Sequence, residues 1–129
     1  MASKERRNES GFTLVELMVV VAVIGVLATI AIPLYSNIQA RARLAKAQAD
    51  SRTLASAVSI YGAHMGQIPA TLSQLTVVST NAQGLTAGPF MSSVPVPPGG
   101  WAGYAYTPNV ASGTYTITTS GDGTSVNLP

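Results

Sequence analysis

An α+β fold is predicted, a long N-terminal helix packed on a small antiparallel β-sheet, and three features of the 129-residue sequence predict it. Residues 17–34, LMVVVAVIGVLATIAIPL, carry no charge and one polar side chain, Thr29. Residues 34–61 follow with no glycine or further proline, rich in alanine, a composition that favours helix. Three later stretches, beginning at Trp101, Tyr115 and Val126, alternate large with small or polar side chains at the period of a β-strand.

The first element is read as membrane-anchoring. Its 18 uncharged residues are about the minimum that crosses a hydrocarbon core, where only helix satisfies the backbone. A secretory signal removed after the run would look similar at its start. Against that, the run is long, ends at Pro33-Leu34-Tyr35 without a small-x-small cleavage site, and passes straight into amphipathic helix. Lys4, Arg6 and Arg7 precede it and no comparable cluster closely follows, so the positive-inside rule puts the leader in the cytoplasm and the domain outside. Glu16 stands at the edge of the run, where an ionised group is costly and usually has a specific partner. Taken alone, it fits a place among lipid headgroups as well as a pairing role.

Beyond the anchor, Leu54, Val58, Tyr61 and Met65 fall at spacings of four, three and four, one face of an amphipathic helix. Gly25 and Pro33 interrupt helical propensity, so a kink or local melting is expected near Pro33. After Gly62 and Gly66 a loop with a short helix is predicted, with Ile68-Pro69 as a stop and Leu72 and Leu75 as core plugs. Three short antiparallel strands end the chain, joined by turns at 108–113 and 120–123, where glycine and aspartate supply turn conformations. No internal repeat is visible.

Composition narrows the function. Charged residues make up 9% of the chain, against about 25% for an average soluble domain. Every Lys and Arg lies in the first 52 residues, and beyond Arg52 the only formal charge is Asp122. The net charge of +2 is therefore no phosphate-tracking face, and nucleic acid is not an expected partner. With no cysteine there is neither disulfide nor thiolate metal site. An enzyme is disfavoured: the head has no carboxylate pair, His64 is the only histidine, and no phosphate-cradling glycine loop occurs. No catalytic or cofactor-binding residue is assigned. His64 is expected to meet helix-end carbonyls or solvent, and Trp101 to anchor packing. Arg41, Arg43, Lys46 and Arg52 fit a solvated face, a headgroup contact or an intersubunit ionic surface. Gly121-Asp122-Gly123 reads as a tight turn capped by its Asp side chain. One carboxylate is too few for a hard divalent cation, so no metal ligand is assigned.

Gly11-Phe12-Thr13-Leu14-Val15-Glu16 ahead of an apolar helix resembles the prepilin cleavage and methylation signature of the type IV pilin-like family. The resemblance implies cleavage between Gly11 and Phe12 by a cytoplasm-facing prepilin peptidase, N-methylation of Phe12, and retention of the helix. It also implies that Glu16, the fifth residue counted from Phe12, attracts the N-terminal amine of a neighbouring subunit. Carboxylate and ammonium are each expensive alone in lipid, so such a pair would favour one axial register.

The order of Ile60-Tyr61, Gly66-Gln67-Ile68-Pro69, Gly88-Pro89-Phe90-Met91, Val94-Pro95, Gly100-Trp101, Tyr104-Ala105-Tyr106, Tyr115 and Gly121-Asp122-Gly123 resembles the major pseudopilin of type II secretion systems. Two departures stand out. The acidic residue ahead of the proline-tryptophan stretch is absent, and so are the C-terminal aspartates which that family uses for calcium. Calcium is the one ion the resemblance brings in, and both departures count against it.

Four regions are expected: a cytoplasmic leader at 1–11 that is removed, a transmembrane and filament-core helix at 12–34, an amphipathic helix at 35–62, and a loop-and-sheet head at 63–129. The implied function is a structural subunit of a type II secretion pseudopilus that helps export folded proteins. The alternative is a type IV pilin of a surface fibre for adhesion, motility or DNA uptake. Implied partners are further copies of the chain, the prepilin peptidase and N-methyltransferase, an inner-membrane assembly platform, minor pilin-like subunits, and the membrane before assembly. The implied location is the bacterial inner membrane, single-pass, N-terminus cytoplasmic and head periplasmic, the filament lying in the periplasm or, for a pilus, at the cell surface.

Overall fold

A computed structural model describes residues 11–129, and the leader charges Lys4, Arg6 and Arg7 lie outside the described residues. The chain divides between Ile38 and Gln39 into two compact units. One helix, α1, spans Leu14–Met65. It is followed by a 3-10 helix at Leu72–Thr76, a two-stranded sheet of β1 (Ser79–Thr80) and β2 (Thr86–Ala87), and a three-stranded sheet of β3 (Ala105–Asn109), β4 (Thr114–Gly121) and β5 (Thr124–Leu128).

In the first unit α1 is apolar on every side, and each large apolar side chain from Phe12 to Leu34 is more than half exposed. The helix runs through Pro33 without a break, so of the kink or local melting expected there the melting is not seen. A proline removes one backbone donor, and the bonds of neighbouring turns carry the helix past it. The Thr29 hydroxyl donates back to the Gly25 carbonyl at 2.9 Å in the same stretch.

In the second unit the helix has an inward face. Ala47, Ser51, Leu54, Val58 and Tyr61 are buried at spacings of four, three, four and three, and Met65 packs at the end of the same stripe. Ser51 is tolerated there because its hydroxyl donates to the Ala47 carbonyl at 2.8 Å. The helix passes Gly62 and stops at Met65, where Gly66 turns to φ 76° and its N–H closes on the Gly62 carbonyl.

Two clusters pack on this stripe. Val58, Tyr61, Ala57 and Leu75 form the first, with Ile68, Leu72, Phe90, Tyr106 and Tyr115 around it. The expected plug Leu75 is fully buried. Its carbonyl accepts the N–H groups of Phe90 and Met91 at 2.8 and 3.0 Å, so the loop is hung on the 3-10 helix. Phe90 meets Tyr61 edge-on with ring centroids 5.3 Å apart. Gly88, at φ 105°, lies where a Cβ would press on the Val77 carbonyl and the Phe90 ring. The second cluster is Ala47, Trp101 and Val126, with Leu44 beside it.

The three-stranded sheet is an antiparallel meander in the order β3-β4-β5, with Tyr106 opposite Ile117 and Thr119 opposite Val126. These four side chains point to the helix; the opposite face carries Thr107, Thr114, Thr116, Thr118, Ser120, Ser125 and Asn127. The first strand starts at Ala105, later than the alternation from Trp101 predicted. The backbone ahead of it is otherwise engaged: Trp101 N–H closes a turn on the Pro98 carbonyl, and Ala102 reaches Ser120 and Thr119. Pro108 and Asn109 belong to β3 rather than to the turn.

The short β1–β2 pair was not foreseen. Asn81 holds it: its side-chain oxygen accepts from Gln83 and Leu85 N–H, and its side-chain nitrogen donates to the His64 carbonyl at the helix end. His64 itself donates from Nε2 to the Leu85 carbonyl at 3.1 Å, a loop carbonyl rather than one of its own helix.

Candidate functional site

At the N-terminal end, Gly11, Phe12 and Thr13 precede the helix and are exposed, Phe12 by 86%. Thr13 and Glu16 form a capping box: Glu16 Oε2 accepts from Thr13 N–H at 2.8 Å and from its hydroxyl at 2.9 Å, and Thr13 Oγ1 accepts from Glu16 N–H at 3.2 Å. Of the predicted site residues, Gly11 and Phe12 lie in the segment ahead of the helix and Glu16 in its first turn, and only Glu16 has a side-chain partner. That partner, Thr13, was legible as the first position of a T-x-x-E pattern and was read only as part of the wider signature.

A second constellation ties the helix to the C-terminal hairpin. Arg43 Nε donates to Asp122 Oδ2 at 2.7 Å and Nη2 donates to Oδ1 at 3.0 Å, a bidentate fork. Trp101 Nε1 donates to the same Oδ2 at 2.8 Å. Asp122 and Gly123 form the two-residue turn between β4 and β5, both at positive φ (51° and 73°), as an Asp-Gly hairpin requires. The Arg43 hydrogen bond, then that of Trp101, holds the Asp122 carboxyl below its ordinary value, and the same Arg43 bond raises the guanidinium. Gly121 serves a different need. Its backbone is unexceptional, but the Trp101 indole occupies the place where a Cβ would stand.

One turn along, Lys46 Nζ donates to Asp50 Oδ2 at 2.5 Å and to the Val96 carbonyl at 2.7 Å, and Tyr104 donates to the same Asp50 oxygen at 2.7 Å. Burial first, and then the bond to Asp50, raises the Tyr104 phenol well above its ordinary value. Two residues of the basic stretch, Arg43 and Lys46, therefore bond to the head, Lys46 while its side chain stays half exposed. The turn predicted at Asp122 is present, but its carboxylate faces Arg43 and Trp101. Sequence reasoning missed both partners because neither is near Asp122 in the chain.

Neither constellation offers reacting groups for catalysis: one end caps a helix, the other closes an ion pair. Nor does the second fit the calcium that the family resemblance brings in. Both Asp122 oxygens are engaged by N–H donors, and no three His, Asp or Glu side chains converge among the described residues.

Residues 6–32 match the family model for the prokaryotic N-terminal methylation motif, and residues 35–127 match that for type II secretion system protein G. Among curated proteins, the chain is 39% identical to type II secretion system core protein G of Pseudomonas aeruginosa over 57 residues, 44% of this chain and 40% of that one. It is 38% identical to a fimbrial protein of Neisseria meningitidis over 72 residues, 56% of this chain and 42% of that one. It is 46% identical to the type IV major fimbrial protein FimA of Dichelobacter nodosus over 50 residues, 39% and 32% of the two chains. The aligned parts span less than half the length of these relatives. No solved structure matches the chain. With its head matched almost end to end and the methylation motif ahead of it, the chain belongs to the type II secretion system protein G family of pseudopilins.

Proposed function

We propose that this chain is a structural subunit of a type II secretion pseudopilus, polymerising with copies of itself to help export folded proteins. The observation that carries the reading is the pairing of two units on one helix. The first exposes apolar side chains on all sides, and the second builds a head matching protein G over residues 35–127. A helix apolar all round needs lipid or other helices about it. The membrane serves before assembly and the filament core afterwards.

Maturation in this reading begins at the Gly11–Phe12 peptide bond, which lies outside the helix in exposed backbone open to a prepilin peptidase. The leader at 1–11 leaves, the new Phe12 amine is N-methylated, and residues 12–34 stay in the inner membrane with the N-terminus cytoplasmic and the head periplasmic. Glu16 then exchanges its contact with Thr13 for the Phe12 amine of a neighbouring subunit, fixing axial register. The assembly platform in the inner membrane and minor pilin-like subunits are the further partners.

The fimbrial relatives favour a second reading, a type IV pilin of a surface fibre. Partition of exported proteins between periplasm and medium in a strain lacking this chain separates the two. Retention in the periplasm supports the pseudopilus; unchanged export together with loss of a surface fibre supports the pilus. The intact mass of the purified protein tests maturation, since a mass that still includes residues 1–11 refutes it.

A further inference from the structure

The family resemblance brings in calcium, and at the turn between β4 and β5, where the one carboxylate beyond Arg52 stands, the residues do not fit such an ion. A hard divalent cation gathers six to eight oxygens, usually more than one of them charged. Asp122 is the only carboxylate beyond Arg52. Its oxygens accept three N–H donors, two from Arg43 and one from Trp101. Two nearby carbonyls already hold protein donors: that of Ser120 accepts Ala102 N–H at 2.8 Å, and that of Ala102 accepts the Thr119 hydroxyl at 2.7 Å. The other carboxylate of this unit, Asp50, is taken by Lys46 and Tyr104. An incoming divalent ion would also meet the positive charge of Arg43 at contact range.

We propose that the Arg43 guanidinium is the resident cation of this turn, so that the head closes on its own helix without any divalent ion. The arrangement does what a bound ion does. It neutralises Asp122, fixes the carboxylate direction, and joins chain segments 79 residues apart. A guanidinium does this with directional donors that match the two carboxylate oxygens, and it cannot dissociate or be chelated. Three local choices serve the same geometry. Asp122 adopts a left-handed backbone that aspartate tolerates, and it is the only non-glycine residue with positive φ among the described residues. Gly121 leaves room for the indole, and Trp101 supplies the third donor. Arg43 lies on the same helix as the buried stripe, four residues before Ala47, so packing holds its backbone in place.

The test uses the full chain in detergent micelles, heated while Trp101 emission is followed; Trp101 is the sole tryptophan and touches Asp122 directly. Millimolar calcium and excess EDTA are expected to leave the melting midpoint unchanged, and terbium(III), a luminescent calcium probe, is expected to gain no tryptophan-sensitised emission. Arg43→Gln is expected to lower the midpoint by several degrees and shift the emission to the red. Arg43→Lys, which keeps the charge but loses the fork, should fall between. A midpoint raised by calcium or lowered by EDTA in the parent chain overturns the proposal, and so does an Arg43→Gln protein that melts like the parent. Should Arg43→Gln fail to fold, Asp122→Asn keeps an acceptor for the indole N–H; a lowered midpoint supports the proposal and an unchanged one overturns it. Export is scored separately, so failure here leaves the pseudopilus reading standing.

Discussion

Replacing Gly121 by alanine should damage the head through space rather than conformation. Gly121 is not among the glycines at positive φ, so alanine suits its backbone. A Cβ there, however, would stand against Cδ1, Cγ and Cδ2 of the Trp101 ring. The indole has nowhere to go: it is 7% exposed, packs with Ala47 and Val126, and is bonded to Asp122. Expelling it would forfeit about 200 Å² of aromatic burial, or about 5 kcal/mol at 25 cal/mol per Å². The hairpin should therefore yield instead, at the about 1–3 kcal/mol typical of overpacking. A rigid ring held on several sides places the cost in the upper part of that range, about 2–3 kcal/mol. For a unit the size of Gln39–Pro129, each kcal/mol moves the midpoint by about 4–8 °C, which gives a fall of about 8–24 °C. Thermal melts of the full chain in detergent, read by Trp101 fluorescence and far-ultraviolet circular dichroism, measure it. A loss within about 0.5 kcal/mol, the scatter of ordinary surface changes, with unaltered emission would refute the steric reasoning.

Three further outcomes are expected. Leu75→Ala removes a fully buried side chain from the first cluster and should cost about 3–4 kcal/mol, measured by urea unfolding; a cost under about 1 kcal/mol would show that the loop is not held there. Asp122 is held below its ordinary value of 3.8, so the pair contributes fully above that pH. Its contribution fades as pH falls from there through the lower folded value, and the melting midpoint of Asp122→Asn should show a shallower acid decline than the parent's. Glu16→Gln can still serve the capping box but carries no charge, so it should leave cleavage intact and block filament assembly; normal filaments would leave Glu16 as a helix cap alone.

The sequence disclosed what periodicity and flanking chemistry encode. Leu54, Val58, Tyr61 and Met65 fall on one helical face, and that face is the one that packs. Ile117 and Val126 sit at large positions of the strand alternation, where burial imposes a period on the chain, and Leu75 was legible as an apolar plug in a polar loop. What stayed hidden rests on partners distant in sequence. Nothing near Asp122 announces Arg43, 79 residues earlier, and nothing near Gly121 announces an indole in its Cβ position. The β1–β2 pair is too short to carry alternation and depends on Asn81, whose bonds are local but not periodic. At the other end, Gly11 and Phe12 stood out only as a family signature, whereas Glu16 stood out first as an acid at the edge of an apolar run. Composition alone would have left Glu16 a stray acid, and its bond with Thr13 is a short-range pattern that the signature concealed.

The outward face of the three-stranded sheet is made of hydroxyls and amides, and the charge at its hairpin end, Asp122, is paired with Arg43. That face holds no charge of its own, and charges elsewhere on the unit are screened beyond about 8 Å at physiological salt. Macromolecules of either net charge can meet that face without being drawn in or pushed away by it. A face built this way is indifferent to the isoelectric point of whatever meets it.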